Sequence, residues 1–328
     1  MTRFDLELFG ALNEEYASTP LVRRPRSLDL DGLAEAARTR LTGVEQEGVP
    51  LRGRRVLEVG CGAGALSRVL AEEYDCDVVG LDIVSKPSWE TLRGPRVDLR
   101  VLDISTQDSS ALGQFDAIVS FVVLEHVAHP YAMLTAVERL LRPGGRAHLS
   151  ANLYRGPMAS HRYREVFFPW PHLLFPENVF TEFYEQVHGR RGVRPSWVNK
   201  MTHAHYEMYL SRIGFTRHAT HLSPSKFDEA FYERFENVLS RYPRYDLSHD
   251  FIYLTVGPAV DRETAVDPAV RLAALEVRNR QLEAELSSVR VGAQRQVIAL
   301  ANAVRSGRRR LTAPLRRRLA AVRSASRR

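Results

Sequence analysis

Lysine is nearly absent from this chain, with three residues among 328 against 43 arginines. A skew of that size reads as coding bias, so arginine identity alone is no sign of phosphate recognition. Cysteine is equally scarce. Cys61 and Cys76 are too few for a disulfide framework or a zinc site, which points to a reducing compartment. No window approaches the roughly 18 uninterrupted apolar residues of a membrane span, and Met1 to Gly10 lack the basic start and apolar core of a secretory signal. A cytoplasmic location is therefore expected, with any membrane work confined to the surface. Acid is missing from one region. Arg305 to Arg328 hold ten arginines and no Asp or Glu, so the net charge of +7 becomes about −3 for residues 1 to 304. A nucleic-acid enzyme would line its catalytic part with positive charge, and that class is set aside.

What is present begins with Val56-Leu57-Glu58-Val59-Gly60-Cys61-Gly62-Ala63-Gly64, a glycine-rich turn after a short apolar run. Glycines at 60, 62 and 64 can take positive φ and bring bare backbone against a nucleotide, while Ala65 to Ala71 reads as the helix behind them. A second strand pattern, Asp77 to Leu81, then ends at Asp82. A dinucleotide turn is spaced G-x-G-x-x-G and faces a pyrophosphate; here the spacing is E-x-G-x-G-x-G, and Glu58 would repel that anion. The acid suits a ligand with a cationic end.

On these residues the chain resembles the class I S-adenosylmethionine-dependent methyltransferases. The resemblance continues in family order through Arg100-Val101-Leu102-Asp103-Ile104, Phe115 to Val127 with its Glu125-His126-Val127 turn, and Leu140 to Ser150 with Pro143-Gly144-Gly145, spanning about residues 54 to 152. It implies an α/β, Rossmann-like fold with a seven-stranded sheet whose last strand is antiparallel. It implies S-adenosyl-L-methionine as cofactor, held by Glu58, Gly60, Cys61, Gly62 and Gly64. Asp82 would bind the ribose hydroxyls with Ile83 beside it, Asp103 would meet the adenine amine with Ile104 as an apolar wall, and Phe121 would belong to the same cofactor site. Read without the family, Asp103 is equally a turn former or helix cap, and Cys61 is a small loop residue.

Residues 1–51 are expected to cap the cleft, with a helix between Asp31 and Leu41, and residues 52–260 form the methyltransferase domain. Inserts at 152–199 and 224–249 would hold the acceptor. The first contains Phe167-Phe168-Pro169-Trp170-Pro171-His172-Leu173-Leu174-Phe175, which reads as a rigid wall of rings rather than a helix, suited to stacking on sugars or flat substrates. The second has a helical portion from Phe227 to Leu239. Further elements are expected as a helix from Thr202 to Gly214 and strands at Thr216 to Leu222 and Asp250 to Val256. Transfer to a hydroxyl needs a base, and His161 is placed ahead of His126, with His129 and His172 behind them. No acid cluster obliges a metal.

Residues 261–304 follow an Asp267-Pro268 helix start and carry Leu275, Asn279, Leu282, Leu286, Val289 and Ala293 at coiled-coil spacing, suited to a homo-oligomer. The basic tail, residues 305–328, alternates arginine clusters with Leu and Ala and suits peripheral association with an anionic inner membrane face. Its Arg310-Leu311-Thr312-Ala313-Pro314-Leu315-Arg316 stretch resembles tails of bacterial surface-polysaccharide enzymes. The expected activity is thus O-methylation of a surface-polysaccharide sugar or its lipid-linked precursor. The alternatives are C- or O-methylation of a small aromatic, quinone or polyketide metabolite, and a non-catalytic scaffold of a glycan-assembly complex.

Overall fold

β-branched and aliphatic runs too short for helices build the centre of the fold. The computed structural model describes residues 4–21, 29–162, 165–191 and 197–259; the expected coiled coil and basic tail lie outside the described residues. Seven strands form one sheet: β1 (Arg55–Val59), β2 (Asp77–Asp82), β3 (Val97–Val101), β4 (Phe115–Phe121), β5 (Leu141–Asn152), β6 (Thr216–Pro224) and β7 (His249–Gly257). Their order is β3-β2-β1-β4-β5-β7-β6. β1 to β5 pair in parallel, and β7 runs antiparallel to both β5 and β6. The expected seven-stranded sheet with a reversed last strand is what forms.

Parallel strands are covered on both faces, which is why Val56 and Leu57 of β1 and Ala117, Ile118 and Val119 of β4 are all buried. One face packs against α2 (Leu30–Gln46) and α3 (Ala65–Glu73), through Ala34, Leu41, Val69 and Leu70. The other packs against α5 (Pro130–Leu140) and α8 (His203–Ile213), through Leu134, Val137, Tyr206 and Leu210. Between them in sequence, the short α4 (Trp89–Leu92) follows β2. The helix expected from Asp31 to Leu41 is longer at both ends. Asp29 caps it by accepting from the Gly32 amide, and Val44 extends its buried stripe past Leu41. Pro143-Gly144-Gly145 is not a turn before β5 but a bulge inside it, since pairing with β4 jumps from Phe115–Leu141 to Ala117–Arg146.

A separate cap has its own apolar core. It contains α1 (Leu6–Glu15), α6 (Pro171–Leu174), α7 (Glu177–His188), α9 (Glu229–Arg234), α10 (Glu236–Leu239) and α11 (Arg244–Leu247). The N-terminal segment therefore divides: α1 joins the cap, while α2 supports the sheet. The expected wall of exposed rings is corrected by this packing. Phe168 and Trp170 are buried, and Phe9 of α1 meets Phe168, Phe175 and Phe180 edge to face at 5.1, 4.9 and 5.1 Å. Aromatic density here made a core, because α1 covers the rings. Nor is the insert free of helix, for α7 carries Val179, Phe180, Phe183 and Val187 at helical spacing and ends on Gly189 at φ 62°. The helix expected from Phe227 to Leu239 breaks into α9 and α10 at Phe235.

Candidate functional site

Strand order reverses between β1 and β4, and the cleft outside their carboxyl ends is where an open α/β sheet binds its ligand. The glycine turn sits on that edge. Gly60, Gly62 and Gly64 all take positive φ, at 82°, 51° and 82°. A Cβ on Gly60 would lie 2.2 Å from Val123 Cγ2, whereas one on Gly62 would meet nothing within 4 Å. Packing thus requires the first glycine, and the second leaves a ligand room to approach the backbone. The loop is held from behind: Trp89 Nε1 donates to the Gly62 carbonyl and Ser88 Oγ to that of Ala63, each at 2.8 Å.

Asp82, at the end of β2, accepts from the Gly62 amide at 2.8 Å and the Val84 amide at 3.2 Å. Ile83 beside it is 69% exposed, an apolar face held open at the cleft. Ile104 differs, because its side chain is buried in the main core and its contribution is to support the loop. Asp103 serves as a turn former, its Oδ1 accepting from Ser105 N at 2.8 Å and Oγ at 2.6 Å. Burial works to raise its carboxyl, but these hydrogen bonds outweigh it and hold it below the usual range. Cys61 is buried and its thiol is pushed up by burial, the behaviour of a small inert loop residue. Phe121, ending β4, lies under the Arg40 guanidinium at 5.3 Å. Arg40, on α2, was not foreseen; nothing in the local pattern of a distant helix signals it.

Glu58 lies beneath the loop rather than in the open cleft. It is 5% exposed and accepts from Ser67 Oγ of α3. Burial pushes its carboxyl up to about 7, against the Ser67 hydrogen bonds and the Arg40 charge, which hold it down. A carboxyl with a raised folded-state pKa contributes stability below its ordinary range, and that contribution is lost as pH rises through about 7. Glu58→Gln should therefore melt higher than the wild type at pH 8 without ligand, by on the order of 3 kcal/mol, the worth of such a shift. At pH 5 the two proteins should melt together, and at pH 8 the variant should bind S-adenosylmethionine more weakly. Thermal scans at both values check this; a gap of equal size at pH 5 would rule it out.

Past β4 the chain turns through Leu124 to His126, beginning at Val122, a β-branched residue at φ 59°. Such strain collects at functional sites. Asn199 pins the turn, donating from Nδ2 to the Leu124 and Val127 carbonyls at 2.6 and 3.0 Å. His126 Nδ1 donates to the Trp197 carbonyl at 3.0 Å, which leaves Nε2 as the acceptor. His161, itself at φ 53°, brings its ring centroid within 4.8 Å of that of His126. The two histidines singled out in sequence, 35 positions apart, thus meet. Burial, with His126 and Arg162 nearby, holds His161 down to about 4. His129 precedes α5, and His172 lies in the cap with Nε2 donating to the Tyr154 carbonyl at 2.6 Å.

Glu125 completes the group. It is 2% exposed, Oε1 accepts from the Asn152 amide at 3.2 Å, and Oε2 has no hydrogen-bond partner. Burial raises its carboxyl. Among the described residues, Glu125, His126 and His161 form a group that could hold a cation, with one ligand atom from each all lying within 4.8 Å of one another. Coordination at about 2.1 Å would require them to draw closer. Sequence reasoning passed over Glu125, because an acid beside a histidine gives no sign that it will be buried.

The strand order 3-2-1-4-5-7-6, the glycine turn after β1 and the acid ending β2 together define the class I S-adenosylmethionine-dependent methyltransferase fold. The chain belongs to the family described as Methyltransferase domain, which matches residues 30–231. S-adenosylmethionine is that family's cofactor, and the open backbone at Gly62 beside Asp82 fits it. Similar curated proteins include the ubiquinone biosynthesis O-methyltransferases of Dechloromonas aromatica, 38% identical over 118 residues, and Xanthomonas oryzae pv. oryzae, 39% over 114. These alignments cover 34% and 33% of this chain and 49% and 47% of those proteins, so the chain spans about half the length of the curated relatives it matches. A solved S-adenosylmethionine dependent methyltransferase from Mesorhizobium loti is 19% identical with a TM-score of 0.46, over 70% of this chain and 99% of that one. No helix among the described residues is long and apolar enough to cross a membrane.

Proposed function

We propose that this protein transfers the methyl group of S-adenosylmethionine to a hydroxyl oxygen of a ring-bearing acceptor, with His126 as general base. The observation that carries the reading is the orientation of His126. A backbone carbonyl holds its Nδ1–H, so the Nε2 lone pair is fixed at the turn that follows β4. His161 is the weaker base, since burial keeps its ring neutral and poorly basic. Its role is to pack against His126 and exclude water. Displacement at the sulfonium carbon needs alignment more than acid–base help, and Asp82 with the glycine turn supplies the donor end of that alignment.

The acceptor favoured is a small aromatic or quinone-type metabolite. The relatives named for ubiquinone biosynthesis and the ring-bearing Tyr154, Phe175, Phe180 and Trp197 around a cavity near the base support this reading. A second reading, methylation of a surface-polysaccharide sugar or its lipid-linked precursor at the inner membrane face, rests on the arginine clusters of residues 305–328. The coiled-coil pattern of residues 261–304 supports a homo-oligomer in either case. A scaffold without catalysis is disfavoured by the complete donor loop. The test is incubation with methyl-labelled S-adenosylmethionine and cell extract. Label is expected in a small aromatic or quinone fraction; label in lipid-linked glycan would select the second reading, and no label anywhere would overturn both.

A further inference from the structure

A cavity of about 490 Å³ lies beside the base, and two cations, Arg162 and Lys200, line it without an ion pair to any carboxylate among the described residues. Arg162 lines it while being only 7% exposed. Its guanidinium lies over the Phe180 and Tyr184 rings at 5.8 and 4.9 Å, so aromatic faces set its position. Its Nε has no hydrogen-bond partner; Tyr184 hydrogen-bonds with the guanidinium, and the Glu165 and Glu177 charges act on it without coming within ion-pair distance. An arginine does not relieve burial by losing its proton, so a buried guanidinium with a free Nε and no ion pair is costly unless an anion arrives.

Lys200 lines the same cavity and is one of only three lysines in the chain. Its backbone is in the left-handed region at φ 60°, and its Nζ sits 5.7 Å over the Tyr154 ring with no carboxylate partner among the described residues. His172 adds an acceptor. Its Nε2–H is taken by the Tyr154 carbonyl, so Nδ1 presents a lone pair, buried and without a partner. Burial keeps that ring neutral, and the charges of Arg162 and Lys200 reinforce the effect, as expected where positive potential converges. The opposing groups are Glu165, which accepts from the Tyr184 hydroxyl, and Glu177, exposed at the start of α7; neither forms an ion pair with Arg162 or Lys200. Tyr154 and Lys200 also line a small space shared with Glu125 and His161, on the side of the cavity toward the base.

We propose that the cavity selects an acceptor bearing an oxyanion, a carboxylate or a phosphate monoester, recognised by Arg162 and Lys200 while His172 Nδ1 accepts from a hydroxyl of the same molecule. This deepens the methyl-transfer reading and rests on it. Charge-assisted hydrogen bonds to one such anion are worth about 1.5–3 kcal/mol each, roughly ten- to a hundredfold in affinity.

The experiment titrates benzoate and phenyl phosphate, with benzamide and phenol as uncharged counterparts, into the full chain by calorimetry, with and without S-adenosylhomocysteine. At least one anion should bind ten times more tightly than its counterpart or better; benzoate points to a carboxylate acceptor and phenyl phosphate to a phosphate. Lys200→Gln and Arg162→Met should each remove most of that preference and leave S-adenosylhomocysteine affinity unchanged. If Arg162→Met does not fold, Lys200→Gln decides alone. Equal binding of charged and uncharged probes, no binding of either anion, or a preference that survives Lys200→Gln overturns the proposal. Failure of the wild type to bind S-adenosylhomocysteine would instead overturn the methyl-transfer reading, and the titrations without it still decide the anion question.

Discussion

Asp82→Ala is expected to weaken S-adenosylmethionine binding by ~10²–10⁴-fold and to leave the fold standing. The carboxylate ends β2 at the strand-order reversal, and its two oxygens suit a vicinal diol. Two charge-assisted hydrogen bonds to ribose hydroxyls are worth about 3–6 kcal/mol, and each 1.4 kcal/mol is about tenfold. The folded protein should tolerate the change. Asp82 gives up only its contacts to the Gly62 and Val84 amides, while Trp89 and Ser88 still hold the loop from behind. Calorimetry with circular dichroism separates the two effects. A loss of less than about threefold in affinity would remove Asp82 from the donor site.

His126→Asn should lower kcat by about 10²–10⁴-fold, the usual worth of a general base, with donor affinity unchanged. The residue is exposed and sits in a short turn, so the substitution has little packing to disturb. His161→Asn should cost much less, since a ring held down to about 4 is a poor base at neutral pH and asparagine tolerates its positive φ. The pH profile is the discriminating readout. Loss of His126 should abolish the acid limb of kcat, whereas loss of His161 should displace that limb without removing it. The reverse ranking would make His161 the base and His126 its support.

The methyl donor was legible because a short local motif carries it. A glycine spacing that takes positive φ, an acid before it and an acid ending the next strand lie within 25 positions, so the motif is visible in one short stretch. The seven-stranded sheet with its reversed last strand followed from the same motifs through the resemblance. The acceptor half was less legible. Phe167 to Phe175 read as a wall for a substrate, yet the rings are largely buried because α1, more than 150 positions earlier, lies against them. Helix α7 carried an apolar stripe that could have been read, but proline and aromatic density in the preceding residues drew the reading away from helix.

Arg162 shows the limit most clearly. With 43 arginines and an evident coding bias, nothing marks one of them as special until burial leaves it without a carboxylate. Glu125 is similar, an ordinary acid whose importance comes from being enclosed beside two histidines. By itself the sequence determined the family and the methyl donor, since those depend on backbone conformation and residue type over short spans. Only the tertiary structure decided that His126 and His161 meet, that the aromatic segment is a core, and that Arg162 and Lys200 share a cavity. Burial and charge pairing depend on which distant segments close over a residue, and neighbours in sequence carry no record of that.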